Sequence, residues 1–426
     1  MYKQYNKILN SSILNNKPFL KLWGGQSVSY MGDQIYLLAL PLLVYEITGS
    51  GSQMAIVFGF EMIPFLLFSL IGGVLTDKWN KKITLILGNI LAILPLMIIY
   101  MLSAQGVIEV WHIYIMSFIL SSIVAMTLPA FEASIPSLVD KKDLIGANSL
   151  TELTLSLTRI LGPAIGGGLI AWIGATQAIL INAATYLIAS LLISTIVIYQ
   201  VTNISFNSKI KDSLYAFWEG LLYVPKHKIL KWGVFLSTSS NIILGAYTSL
   251  LIYYMTNELN FTPDVIGIVF TVSSIASIIA AAILAMIIKS NEKSGLVMLV
   301  SLVCQGMGVL FVGLSFNLIT LLIAQAIYVS SVTLYTINWR SLRQTVTPDN
   351  MLGRVSGVCR GIAFGGASLG GFLGGIFLSM ITVSTLLMIS GVIVISIALI
   401  SIIKANDFKN INISEENKAQ LEKQSV

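Results

Sequence analysis

The sequence predicts an all-α membrane protein of about twelve transmembrane helices, built as two parallel-repeat six-helix bundles. Three observations carry that expectation. The composition is too poor in charge to cover a water-exposed surface, lysine-bearing and lysine-free loops alternate along the chain, and segments of the first half recur in the second.

Hydrophobic residues make up 56% of the 426 residues, charged residues only 10%, and the mean hydropathy is +0.85. A soluble domain carries roughly 25% charged residues, so this chain must cover itself with something apolar. About 20 apolar residues at 1.5 Å rise cross the hydrocarbon core. On that criterion the spans fall near 22–46, 53–76, 83–103, 111–131, 146–171, 175–198, 232–256, 264–288, 295–314, 317–337, 355–379 and 384–403. Residues 1–21 are too polar for the apolar core of a cleavable signal, and the polar tail 404–426 reads as a cytoplasmic extension. Cys304 and Cys359 fall inside spans without ligand-type spacing, as small buried hydrophobes.

The basic residues orient the spans. One side holds Lys3, Lys7, Lys17 and Lys21, then Lys78, Lys81 and Lys82, then Lys141 and Lys142, then the stretch from Lys209 to Lys231. It continues with Lys289, Lys293, Arg340, Arg343 and Arg354, whereas the loops at 48–52, 104–110 and 257–264 contain no Lys or Arg. Positive charge stays cytoplasmic, which places both termini inside a cell (inner) membrane crossed an even number of times. The net charge of +6 is then a topology signal and an attraction to anionic lipid, with no call for nucleic acid.

The repeat is legible in register. Leu42-Leu43-Val44-Tyr45-Glu46-Ile47-Thr48 reads against Leu250-Leu251-Ile252-Tyr253-Tyr254-Met255-Thr256, an offset of 208 residues. At nearly the same offset Leu144-Ile145-Gly146 matches Met351-Leu352-Gly353, and Gly167-Gly168 matches Gly374-Gly375. This predicts an N-terminal bundle over 1–201, a cytoplasmic linker over 202–231, a C-terminal bundle over 232–403 and the tail over 404–426. In the linker Leu214, Phe217, Leu221 and Val224 recur at helical spacing opposite Lys211, Asp212 and Glu219, as in a short amphipathic interfacial helix.

Several motifs carry a family resemblance. Gly73-Val74-Leu75-Thr76-Asp77-Lys78-Trp79-Asn80-Lys81-Lys82, between spans two and three, resembles the loop signature of major-facilitator transporters, with Lys78 for the usual Arg and Asn80 for the usual second Gly. Asn tolerates a left-handed backbone better than other non-glycine residues, so the turn is expected to survive that change. Gly162-Pro163-Ala164-Ile165-Gly166-Gly167 in span five resembles the Gly-Pro-x-x-Gly-Gly motif of exporters in this superfamily. Gly32-Asp33, Tyr45 to Ser50, Pro129-Ala130-Phe131, Gly146 to Ser149 and Arg159 to Pro163 are similar to the macrolide-efflux and enterobactin-exporter branch. The resemblance implies export of a small amphiphilic organic molecule, a drug, macrolide-like compound or secondary metabolite. It also implies a conformational role for the loop residues Gly73, Asp77, Lys78, Lys81 and Lys82, and no cofactor. Span four, over 110–130, lacks the Arg that many drug–proton antiporters carry, and no Gly-x4-Gly-Lys-Ser/Thr sequence occurs, so ATP does not drive the chain directly.

Ion coupling needs an ionisable group in the bilayer, which costs roughly 2.5–3.5 kcal/mol at the centre. Asp33, Glu61 and Arg159 fall near the midplane of spans one, two and five, and are the candidates for proton or substrate coupling. The further acids Glu132 and Glu152 sit nearer the cytoplasm, and the repeat places Asn241 at the position of Asp33, so any proton coupling belongs to the first half. Each candidate has a structural alternative: Asp33 as a helix-end hydrogen bonder, Glu61 as a buried partner of Arg159, Arg159 and Arg360 as counter-ions. Gln26, Tyr30, Asp33 and Leu37 share one face of span one, with Ser29 and Tyr36 beside them; Gln325, Tyr328 and Tyr335 share one face of span ten. Such polar and aromatic stripes predict cavity walls as well as packing, and Gln26, Tyr30, Tyr36, Asn241, Gln325 and Tyr328 are the lining candidates.

Proton antiport by alternating access, in a chain acting as a monomer, is the expected function. An uptake symporter or uniporter on the same fold and a non-transporting membrane sensor stay open. An enzyme is disfavoured because the only histidines, His112 and His227, lie far apart near the membrane surfaces, and no metal or paired-carboxylate constellation occurs.

Overall fold

The computed structural model describes residues 12–76, 80–198, 215, 217–287 and 294–404. Among these there is no strand, and 12 helices are long and apolar enough to cross a membrane. They are α1 Lys17–Thr48, α2 Gly51–Thr76, α3 Lys81–Ala104, α4 Val110–Ser134, α5 Leu144–Ile173 and α6 Ala175–Ser194. After the linker come α7 Lys228–Tyr253, α8 Pro263–Ile287, α9 Ser294–Gly313, α10 Leu318–Val346, α11 Asp349–Leu378 and α12 Val383–Lys404. All backbone polar groups in a bilayer must be satisfied within the segment, which is why an apolar run of this length becomes helix.

Hydropathy marks where a helix enters hydrocarbon, whereas capping marks where it ends. The helices accordingly outrun several spans. α1 starts at Lys17 because Asn16 accepts a hydrogen bond from the Phe19 N–H (3.0 Å) and a proline opens the first turn. It stops at Gly49, whose φ of 62° makes the left-handed C-cap, with its N–H donating to Tyr45 O at 2.8 Å. α10 continues through Arg340 and Arg343 to Val346, beyond the apolar stretch. Asn80 corrects one expectation. It adopts φ −60° and ψ 111°, an extended N-cap whose side chain accepts from the Ile83 N–H at 3.2 Å, and not a left-handed turn residue. Asn has displaced the usual glycine by capping α3.

The chain divides into two compact units, each made of three stretches of sequence. The first comprises Met1–Gly49, Leu67–Ser213 and Thr262–Thr271; the second comprises Ser50–Leu66, Leu214–Phe261 and Val272–Val426. Within the first, α1 lies against α5 and α6, and α3 against α4 and α6. Within the second, α7 lies against α11, and α9 against α10 and α12. First with fifth, third with fourth, third with sixth: the same pairings recur, as expected of duplicated six-helix units.

Glycines set the closest approaches. On α5, Gly166 stands so near α1 that an added Cβ would lie 3.2 Å from the Ile35 Cα, and one at Gly162 would overlap the Gln34 side chain. Gly167 faces the opening turns of α8 in the same unit, where a Cβ would overlap the Pro263 carbonyl. There Thr271 Oγ1 donates to Ile160 O (2.9 Å), just before Pro163. The span-five motif thus positions two neighbours of α5 at once.

Lys81 lies at the N-terminus of α3, and its Nζ donates to Ala133 O (2.8 Å) and Ser137 Oγ (3.1 Å) at the end of α4. A cation on the last carbonyls of a helix is favourable by charge and by dipole. Lys82 is half-buried one residue on, and Gly73 belongs to α2. Asp77 and Lys78 lie outside the described residues. So do residues 202–214 and 216 of the linker. Residues 217–223 form a short helix, with Phe217, Leu221 and Val224 packed in a core of the second unit. Glu219 pairs with Arg354 at 2.5 Å, while Tyr215, Trp218 and Leu222 remain exposed.

Candidate functional site: a carboxylate inside the first unit

Asp33 lies about three turns into the apolar part of α1, and its hydrogen-bond partners come from α6. Tyr186 donates its hydroxyl to Asp33 Oδ1 at 2.8 Å, and Asn182 Nδ2 makes a longer contact to the same oxygen at 3.5 Å. The spacing of Asn182 and Tyr186, one helical turn apart, puts both on one face of α6. Thr185 fixes the amide: its Oγ1 donates to Asn182 O (2.7 Å) and Asn182 Oδ1 (3.1 Å). With Oδ1 occupied, the amide nitrogen is the group left for Asp33.

Gly32 makes this approach feasible. A Cβ there would overlap Thr185 Oγ1 and Asn182 Oδ1, so only glycine lets α6 bring these polar groups alongside Asp33.

Asp33 also lines a small niche of about 30 Å³ with Gln26, Ser29 and Tyr30 from α1, Asn89 from α3, Thr127 and Phe131 from α4, and Tyr186. Tyr30 sits beside Gln26 and meets the Phe131 ring edge-on at 6.2 Å between centroids. The predicted stripe of Gln26, Tyr30 and Asp33 therefore converges on one place. Tyr36, further along α1, is buried at 8% exposure.

Arg159 is exposed on α5 in the first unit, and Glu61 is half-buried on α2 in the second. Asn241, at the position matching Asp33, donates its Nδ2 to Ser237 O at 2.7 Å, so the second unit holds a neutral amide where the first holds an acid. Gln325 and Tyr328 lie inside the second unit at 2% and 3% exposure: Tyr247 donates to Gln325 Oε1 and its ring lies 4.0 Å from that of Tyr328. No group of three or more metal-ligating side chains occurs among the described residues.

Sequence reasoning missed Asn89, Asn182 and Tyr186. Polar side chains deep in spans three and six were the available signal; which helix they faced was not, because the contacts join residues 149 and 153 positions apart.

The model of one protein family, the transmembrane secretion effectors, matches residues 10–425. The chain belongs to that family. It is a multi-pass membrane transporter of the major-facilitator type and not an enzyme. It is 24% identical over 386 residues to macrolide efflux protein A of Streptococcus pyogenes, covering 90% of this chain and 94% of the relative. It is 25% identical over 389 residues to the enterobactin exporter of Salmonella paratyphi A, covering 85% and 88%. A solved nucleoside transporter shares the fold with a TM-score of 0.73 at 14% identity, over 91% of this chain and 99% of that chain. Its substrate is accordingly a small molecule, handled from within a membrane.

Proposed function

We propose that this protein exports an amphiphilic organic molecule across the cytoplasmic membrane in exchange for protons, by alternating access, with Asp33 as the coupling group. The observation that carries the reading is the Asp33 site itself. A carboxylate sits among hydroxyl and amide donors inside one unit, and the matching place in the other holds Asn241. An intramembrane acid is costly, and one held by aligned donors rather than left to lipid is suited to taking and releasing a proton. Export is supported by the macrolide and enterobactin relatives. Glu61 and Arg159 remain secondary candidates for coupling, and Asp77 and the lysines of its loop for conformational switching.

The reading is tested by accumulation. Cells expressing the chain should retain less of at least one compound in a panel of macrolides, catecholate siderophores and lipophilic dyes than cells expressing Asp33→Asn. Greater retention of every responsive compound would indicate uptake instead.

The same reading places both termini in the cytoplasm, following the lysine-bearing loops. A membrane-impermeant thiol reagent should then label Ser50→Cys and Asn260→Cys in intact cells, but not Asn80→Cys or Ser290→Cys. External labelling of the second pair would reverse the orientation.

A further inference from the structure

We infer that the niche beside Asp33 binds water, and that Asn89 is the residue that positions this water against the carboxyl group. The inference rests on the reading of Asp33 as the coupling group.

Asn89 is 7% exposed on α3, and its Nδ2 completes no hydrogen bond among the described residues. Ser29, 1% exposed on α1, also lines the niche, and its hydroxyl lies beside that of Tyr186, which leaves it a lone pair to accept from a bound ligand. Leaving a buried donor unmatched costs about 1–3 kcal/mol, so Asn89 Nδ2 on the wall of the niche points to a bound ligand. A niche of about 30 Å³ admits one or two waters, each of which needs roughly 2–4 polar partners.

The donor and acceptor pattern selects water over a cation. Asn89 offers an N–H, which needs an acceptor. Both hydrogen bonds to Asp33 arrive at Oδ1, leaving Oδ2 for a further donor. Thr127 has committed its hydroxyl hydrogen to Ile123 O at 3.0 Å and offers only a lone pair. One water satisfies all three: it accepts from Asn89 and donates to Oδ2 and to Thr127 or Ser29. The other titratable groups around Asp33 are Tyr30 on its own helix and Tyr186 on α6, with Glu132 of α4 and Glu152 of α5 acting on Tyr30. None offers the acceptor that Asn89 lacks.

This water gives the proton its path. A hydronium reaching the niche transfers its proton to Asp33 Oδ2 and is left as water. On release the Oδ2–H bond breaks and the proton returns to that water, while Asn89 holds the oxygen in place in both states.

Infrared difference spectra between acid and alkaline pH, recorded on the purified full chain without substrate, test this. The Asp33 carboxyl band is identified by its loss in Asp33→Asn. Wild-type protein should show water O–H bands that shift in H2-18O, and Asn89→Leu should lose them and displace the midpoint of the Asp33 band by at least about half a pH unit. Ser29→Ala, read in the same way from α1, should weaken the same bands and serves if Asn89→Leu does not accumulate. An Asp33 band that titrates without isotope-sensitive water bands, or with bands unchanged in a folded Asn89→Leu, overturns the inference and leaves the coupling reading intact. Spectra that change between Na+ and K+ would assign the niche to a cation and overturn it too. Absence of any Asp33 titration would remove the coupling reading and this inference together.

Discussion

Asp33→Asn is expected to abolish uphill transport while leaving the protein folded and inserted. The substitution conserves shape, and the asparagine carbonyl can still accept from Tyr186. Asn241 shows that an amide is tolerated at the matching place in the other unit. What is lost is the group that exchanges a proton. One charge crossing 100 mV is worth about 2.3 kcal/mol, equivalent to roughly a fifty-fold concentration ratio, and that ratio should collapse to unity. Downhill exchange of labelled for unlabelled substrate should persist. Unchanged uphill transport would remove Asp33 from the mechanism and make Glu61→Gln the next variant to examine.

The second large effect is structural. α7 and α11 touch backbone to backbone: a Cβ at Gly370 would overlap the Ile242 carbonyl, and one at Gly245 would overlap the Ala367 carbonyl. Without a hydrophobic force between helices in lipid, such close packing is a main source of helix association. Gly370→Leu must push the two helices apart along their length. Overpacking typically costs about 1–3 kcal/mol even where side chains can yield, and a main-chain carbonyl cannot. The variant should fail to give monodisperse protein in detergent, or melt far below wild type. Gly353→Leu on the same helix is the control, since nothing lies within 4 Å of its added Cβ; its melting should match wild type. Equal losses in both would place the cause in the bulk of leucine at any position on α11, not in the α7–α11 contact.

The spans were legible because hydrocarbon imposes a length and a composition on every crossing segment. Their ends were less so, since Asn16, Gly49 and Asn80 act through local capping geometry that hydropathy does not register. For the candidate site, Asp33 announced itself as an acid where acids are costly, and Gln26 and Tyr30 followed from helical spacing. The partners of Asp33 did not. Tyr186 and Asn182 reach it through a close approach that depends on Gly32 lacking a side chain, a three-dimensional condition joining distant segments. Periodicity likewise put Gln325 and Tyr328 on one face of α10 without saying that the face is buried against Tyr247.

Proton exchange is the central claim, and reconstituted vesicles test it most directly. Purified protein is placed in liposomes with an acid lumen and an alkaline exterior, without nucleotide, and given a compound identified by the accumulation panel. The account predicts accumulation above equilibrium, accompanied by alkalinisation of the lumen and eliminated when an ionophore collapses the pH gradient. Accumulation that survives collapse of the gradient, or substrate movement with no accompanying proton movement, would contradict it.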